Sequence, residues 1–230
     1  IVVTPLAVSG EFMPRALDSE REMLNSMSEQ RRRFGIAPHH KVLLYVGGID
    51  PRKNVLFLLG VLRELLTHAK SEDRLLLVMA GNYTADDQFP RLKAEISRLS
   101  LEEHVRLLGF VPDAGLGSLY RAADIFVFPS LYEGFGLPPL EAMRSGVPVV
   151  AGNNSSLPEV VGGAGMLCAD NQTQNWAEAI CQLMASSAHC LEYARRGVLQ
   201  AERFSWRSTA KKTLQAFSRF VGGADADRRS

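Results

Sequence analysis

The stretch Ile125-Phe126-Val127-Phe128-Pro129-Ser130-Leu131-Tyr132-Glu133-Gly134-Phe135-Gly136-Leu137-Pro138-Pro139-Leu140-Glu141-Ala142-Met143 decides the fold. It opens with an apolar run of strand length, closes with helical spacing, and places glycines and prolines between the two. A strand that is apolar on both faces must be covered on both, as in a parallel sheet with helices on each side. The stretch therefore reads as the point where such a sheet hands the chain to a helix, which is where open α/β folds bind ligands.

Working outward, the same pattern repeats. Apolar runs predict strands over Lys41 to Gly47, Leu75 to Gly81, His104 to Leu108, Ile125 to Pro129, Val147 to Ala151 and Gly165 to Cys168. Helical stripes lie between them: Val55, Leu58, Leu59, Leu62 and Leu66, with Asn54 as an N-cap, then Leu92, Ile96 and Leu99, then Leu116, Leu119 and Ala123. Beyond Cys168, Trp176, Ile180, Leu183 and Met184 define one helix, and Trp206, Leu214, Phe217 and Phe220 a last one. Alternating strands and helices predict an α/β fold, a Rossmann-like doubly wound parallel sheet of about six strands, helices on both faces and a helical C-terminus. Residues 15 to 33 predict a charged helix whose Arg31, Arg32 and Arg33 are solvated. One domain is expected over residues 1–221, with a disordered tail over 222–230 that lacks apolar anchors.

Bulk composition excludes several classes. A formal net charge of +1 on 230 residues argues against nucleic acid and against a polybasic membrane anchor. The apolar runs are too short to span a bilayer. Cys168, Cys181 and Cys190 form no metal-ligand spacing, so reduced thiols and a cytoplasmic setting are expected. The five histidines, His39, His40, His68, His104 and His189, are scattered without a neighbouring nucleophile. Asp225-Ala226-Asp227 looks like a metal-binding pair but sits in the tail, where ligands are not held rigidly.

The chemistry lies in the glutamate segment. Gly134 and Gly136 let backbone amides approach a ligand, and Pro138 and Pro139 suit a first helical turn, so amides and the positive end of a helix dipole face the strand ends. Glu141, expected on that first turn, can accept from a pair of hydroxyls such as those of a ribose. Glu133 faces the same crevice from the loop. Alone, Glu141 would read as a helix-dipole partner and Glu133 as a surface charge. With amides for phosphates between them, the two carboxylates describe a site for a nucleotide-sugar. Gly47-Gly48-Ile49-Asp50-Pro51-Arg52-Lys53-Asn54 adds two cations at another strand-to-helix crossing, as a diphosphate leaving group needs. Gly109-Phe110-Val111-Pro112 closes a third strand and offers an apolar surface to a base. Glu159 serves a helix start.

Together these segments resemble the C-terminal, donor-binding half of a retaining GT-B glycosyltransferase of family 4, from the opening Val2-Val3-Thr4-Pro5 through Phe204-Ser205-Trp206. The resemblance implies that Lys53 contacts the diphosphate, Glu141 the ribose hydroxyls, and Val111 the base. Glu133 would orient the transferred sugar, while the Phe135 to Leu137 amides, with Gly134 and Gly136, meet sugar and phosphate oxygens beside Gly47 and Gly48. Glu133, Arg52 and Lys53 are the implied catalytic set. Many relatives carry an arginine where this chain has Gly48, and Arg52 is expected to supply that charge, as in mannosyltransferase-like versions. No metal or other cofactor is implied; the donor is a GDP- or UDP-linked sugar.

The implied reaction transfers a hexosyl group, mannose in the mannosyltransferase-like version, to a glycan or lipid-linked acceptor with retention, as in polysaccharide or lipopolysaccharide synthesis. The resemblance also implies an N-terminal acceptor domain that these residues do not contain, so the isolated chain is expected to bind donor and not to turn over. Any peripheral contact with the inner membrane face would be made by that absent half. The alternatives are a non-catalytic nucleotide-sugar-binding module and a nucleotide-sugar 2-epimerase. A dinucleotide-dependent oxidoreductase ranks below these, since no Gly-x-Gly-x-x-Gly follows a strand.

Overall fold

The computed structural model describes residues 4–68, 74–169 and 171–226, so the Val2-Val3 part of the opening strand lies outside it. Helix α1 (Glu20–Arg33) precedes β1 (His40–Val46), a 3-10 turn (Pro51–Lys53) and α2 (Val55–His68). Then come β2 (Arg74–Ala80), α3 (Phe89–Arg98), β3 (Val105–Gly109), α4 (Asp113–Ala122), β4 (Ile125–Phe128) and α5 (Leu137–Arg144). β5 (Val149–Gly152), α6 (Leu157–Val161), β6 (Met166–Cys168), α7 (Thr173–Met184), α8 (Ser187–Glu202) and α9 (Trp206–Ala226) complete the chain. All six strands predicted from apolar runs are present, within two residues of their expected ends.

The strands form one sheet in the order β3-β2-β1-β4-β5-β6, every pair parallel. β1 lies at the centre, with Leu43 opposite both Leu77 of β2 and Ile125 of β4. Leu43, Leu44, Leu77, Val78, Phe126, Val127, Val149 and Val150 are all buried, which is why these runs read as apolar without alternation. Helix α2 packs against α3 and α7, while α4, α5 and α8 form a second packed group with α1. The doubly wound α/β expectation is met.

Helix α8 had no sequence signal because its buried positions are small: Ala194, Gly197 and Ala201. A Cβ on Gly197 would lie 3.2 Å from Met143 Cγ, so α8 approaches α5 closely where large apolar markers cannot fit. In α9 the expected stripe exists, yet Trp206, Leu214 and Phe217 are 55%, 65% and 63% exposed. The expected tail needs correction. Helix α9 runs through Gly222 to Ala226, because each residue added to an existing helix gains a hydrogen bond that offsets the roughly 1 kcal/mol cost of a glycine. Residues 227–230 lie outside the described set. Among the described residues no helix is long and apolar enough to cross a membrane.

Arg31 corrects the solvated-arginine expectation. It is buried, with its guanidinium 2.5 Å from Asp124 Oδ2, and it donates to the Ala122 and Pro38 carbonyls at 2.9 and 3.1 Å. Asp124 also accepts from the Val42 amide, so one carboxylate at the amino edge of the sheet ties α1 to two strands. A buried charge persists only when paired in this way.

Candidate functional site

Strand order reverses between β1 and β4, which places a crevice at the carboxyl ends of these two strands. Lys53 follows β1 and Glu133 follows β4, and at that switch point they meet, Nζ to Oε1, at 2.6 Å. Their side chains keep only 20% and 13% of their accessible surface, so the pair is mostly desolvated. The Leu131 amide donates to the Arg52 carbonyl at 2.8 Å, joining the two loops through backbone as well. The exits of β1, β2 and β3 are joined in turn: Gly47 donates to the Ala80 carbonyl and Gly81 to the Gly109 carbonyl, both at 2.9 Å. A Cβ on Gly81 would fall 2.0 Å from the Gly47 oxygen, so only glycine permits that approach.

Beneath the crevice runs a row of aromatic rings. Lys53 Nζ lies 5.6 Å from the centre of the Phe128 ring, which stacks on Tyr45 and on Phe126. Phe126 packs against Tyr120, 5.4 Å between centres, and the Tyr120 hydroxyl donates to Glu141 Oε2 at 2.8 Å. Glu141 thus joins Lys53 and Glu133 through this floor and touches neither directly. Burial raises the Glu141 carboxyl above the usual range and nearby Asp113 adds to this, while the Tyr120 hydrogen bond opposes both. Burial also raises the Tyr45 and Tyr120 phenols, with the Glu133 and Glu141 carboxylates respectively as further causes. The Tyr45 hydroxyl donates to the Gly48 carbonyl at 2.6 Å and so pins the glycine turn.

Helix α5 begins at Leu137 after Gly136 in the left-handed region at φ 102°. Pro138 and Pro139 occupy its first turn as expected, which puts Glu141 at the fifth helical residue, in the second turn and not the first. The reason is the late start: Gly136 breaks from helical geometry, so the helix cannot begin before Leu137. The two prolines also remove two of the orphan amides, which leaves Leu137 as the first-turn donor without an intrahelical partner. The loop ahead of α5 is clamped by the one after β5. Glu133 donates its amide to Ser155 Oγ at 3.0 Å, Ser156 Oγ lies 2.7 Å from the Phe135 carbonyl, and Asn154 donates to the Ser130 carbonyl at 3.0 Å.

A cleft of about 530 Å³ is walled on one side by Glu133, Gly134, Phe135, Gly136, Leu137 and Pro138. Thr4, Pro5, Leu6 and Phe204 close its far side, and Glu159 faces it from the first turn of α6, its expected helix-start position. A second cavity of about 230 Å³ lies beyond the cation turn, between Asp50, Asn54, Gln88 and Arg91. Neither reaches Glu141 or Val111. Arg52 is exposed and pairs with Asp50 at 2.9 Å, away from Glu133. Asn54 stands at the N-cap position directly before α2, as expected, but serves it through its backbone carbonyl. It adopts φ 56°, its carbonyl accepts from Leu58, and its amide group turns to Asn171, because the 3-10 turn before it leaves it in the left-handed region. Val111 is half-buried in the turn before α4, two residues from the Asp113 that acts on Glu141.

Tyr45, Tyr120 and the Asn154 to Ser156 loop were not found from sequence. The loop had a signal in its polar run directly after a strand, whereas the tyrosines look like core residues. Ser130 is wholly buried beside the site and its hydroxyl has no partner. Among the described residues no group of three His, Cys, Asp or Glu side chains is placed to hold a metal ion.

The chain is 38% identical over 218 residues to the O-antigen chain mannosyltransferase B of Escherichia coli, covering 94% of this chain and 54% of that protein. In fold it matches sucrose-phosphate synthase from Thermosynechococcus elongatus, with TM-score 0.80, 21% identity, and coverage of 96% and 52%. It also matches Anabaena HepE solved with UDP and glucose, with TM-score 0.73, 24% identity, and coverage of 84% and 52%. The chain therefore spans about half the length of the proteins it matches. The sheet, its order and these neighbours are those of one half of a GT-B fold. The family model for glycosyl transferases group 1 matches residues 26–218, and the chain belongs to that family.

Proposed function

We propose that the chain is the donor-binding half of a retaining hexosyltransferase that uses a nucleoside diphosphate sugar. The observation that carries this is the meeting of Lys53 and Glu133 at the switch point of the sheet. A cation and a carboxylate held together there suit the two ends of one sugar-phosphate bond. Lys53 contacts the diphosphate, with Arg52 at the rim and the Leu137 amide on a phosphate oxygen. Glu133 orients the transferred sugar, Gly134 and Gly136 allow its close approach, and Gly47 and Gly48 do the same for the diphosphate. Glu141 takes the ribose hydroxyls and Val111 lies by the base.

As the anomeric carbon–oxygen bond breaks, its electron pair passes to the diphosphate, where Lys53 and the amide stabilise the charge. The acceptor hydroxyl oxygen bonds to the anomeric carbon on the same face, and its proton goes to the departing phosphate oxygen. The cations in this scheme are side chains, and no metal takes part. The O-antigen chain mannosyltransferase among the relatives favours mannose as the sugar and a glycan as acceptor; we further place that glycan on a lipid carrier at the cytoplasmic membrane face. A preceding acceptor domain supplies the other wall, so this half alone binds donor without turnover.

The test is thermal denaturation with GDP, UDP, GDP-mannose and UDP-glucose. A ligand at a hundred times its Kd stabilises by about 2.7 kcal/mol, which for a chain of this size raises Tm by roughly 5–11 °C. No shift with any of them at millimolar concentration contradicts the proposal.

A further inference from the structure

Glu141 is an unusual residue to leave on a helix beside an aromatic core. Its side chain is half-buried, and one carboxylate oxygen, Oε2, accepts from a phenol that is itself wholly buried. Among the described residues no second side-chain donor reaches this carboxylate. The phenol is fixed from both sides: the Tyr120 ring lies edge-on to Phe12, 5.8 Å between centres, and against Phe126 at 5.4 Å. Phe12 and Phe126 are themselves buried, so close packing restrains the Tyr120 ring. The Tyr120 hydroxyl is thereby held in place, and it restrains the carboxylate that accepts from it.

We propose that Tyr120 is a positioning residue of the nucleoside subsite, holding Glu141 by Oε2 so that the other carboxylate oxygen, Oε1, is aimed at a pair of vicinal hydroxyls. This rests on the assignment of Glu141 to the ribose and goes beyond it. A glutamate has three side-chain torsions, and freezing them on ligand binding costs free energy that a pre-formed hydrogen bond removes in advance. The phenol also favours the ionised carboxylate, which accepts more strongly than the acid that burial and Asp113 favour. Tyr120 itself touches no part of the ligand.

Calorimetric titration of the full chain tests this with GDP and UDP and their 2′,3′-dideoxy counterparts, on wild type, Tyr120→Phe, Glu141→Gln and the double variant. Wild type is expected to prefer the ribonucleotide by roughly tenfold or more, because a site built for hydroxyls rejects the analogue lacking them. Tyr120→Phe lowers ribonucleotide affinity by roughly threefold to tenfold and leaves dideoxy affinity unchanged, so the preference collapses. In the Glu141→Gln background the same change alters neither affinity. If Tyr120→Phe weakens both nucleotides equally, or lowers Tm with the preference intact, Tyr120 is a packing residue and the proposal is overturned. If wild type shows no preference, the Glu141 assignment fails first and Tyr120 falls with it. Should Tyr120→Phe not fold, 3-fluorotyrosine placed at position 120, a stronger donor of similar size, is expected to raise the preference, and an unchanged preference overturns the proposal.

Discussion

Replacing the Lys53–Glu133 pair separates what it does for stability from what it does for binding. The two groups lie 2.6 Å apart with 20% and 13% of their side-chain surface exposed, between the fully buried and the surface limits. Removing one partner costs about 3–5 kcal/mol in the first limit and about 0–1 kcal/mol in the second, so roughly 2 kcal/mol is expected here. Lys53→Met keeps the apolar stem over Phe128 and strands the Glu133 carboxylate. With 230 residues, the loss corresponds to a fall in Tm of roughly 4–8 °C. Adding Glu133→Leu removes the stranded charge, and the double variant returns to within roughly 2 °C of wild type, as apolar replacements of ion pairs do. Binding of a nucleoside diphosphate does not return, because the cation is still missing; affinity stays lower by roughly tenfold to a hundredfold. Calorimetry for unfolding and for ligand binding reads both quantities. A Lys53→Met protein as stable as wild type would show that the pair is not coupled, and a double variant that binds normally would remove Lys53 from the site.

Glu141→Gln is expected to be more stable than wild type at neutral pH. The folded carboxyl titrates above its unfolded value, so the native state holds the extra proton and wild-type stability falls as pH rises from the ordinary glutamate range through that raised value; urea midpoints of the two proteins should converge at acid pH and separate above it. Gly134→Ala and Gly136→Ala should behave oppositely. A Cβ at Gly134 meets open space and leaves Tm unchanged while obstructing the donor, whereas at Gly136 it meets Leu157 Cδ2 at 2.9 Å with φ at 102° and destabilises by about 1 kcal/mol or more. Thermal melts with and without GDP-mannose distinguish the pair. Ser130→Ala deletes a buried hydroxyl that has no partner, so without ligand the expected change in unfolding free energy is near zero or favourable.

What the sequence made legible follows from how each signal arises. The four inner strands announced themselves because burial on both faces forces unbroken apolar runs such as Ile125 to Phe128, while the edge strands β3 and β6, half-buried throughout, were read from short runs. Lys53 and Glu133 were each found from a local pattern at a strand end, but their pairing depends on β1 and β4 being neighbours, a fact of sheet order that no local window contains. Tyr120 was invisible for the same reason, since it lies 21 residues from Glu141 and reads as one more aromatic of the core. Arg31 was misread because a run of three arginines looks solvated until the Asp124 beneath it is known. Helix α8 shows the converse: where helices approach closely, small residues are buried and the stripe of large apolar residues disappears.

The central claim is that one crevice, at the carboxyl ends of β1 and β4, binds the diphosphate and both sugars. Amide chemical-shift mapping of the isotope-labelled chain during titration with GDP-mannose and UDP-glucose tests it most directly. Saturable changes confined to residues 47–54, 109–113 and 133–141 are expected. Shifts clustered elsewhere, at the α9 face or around Gln88 and Arg91, or no saturable change with either donor, would contradict it.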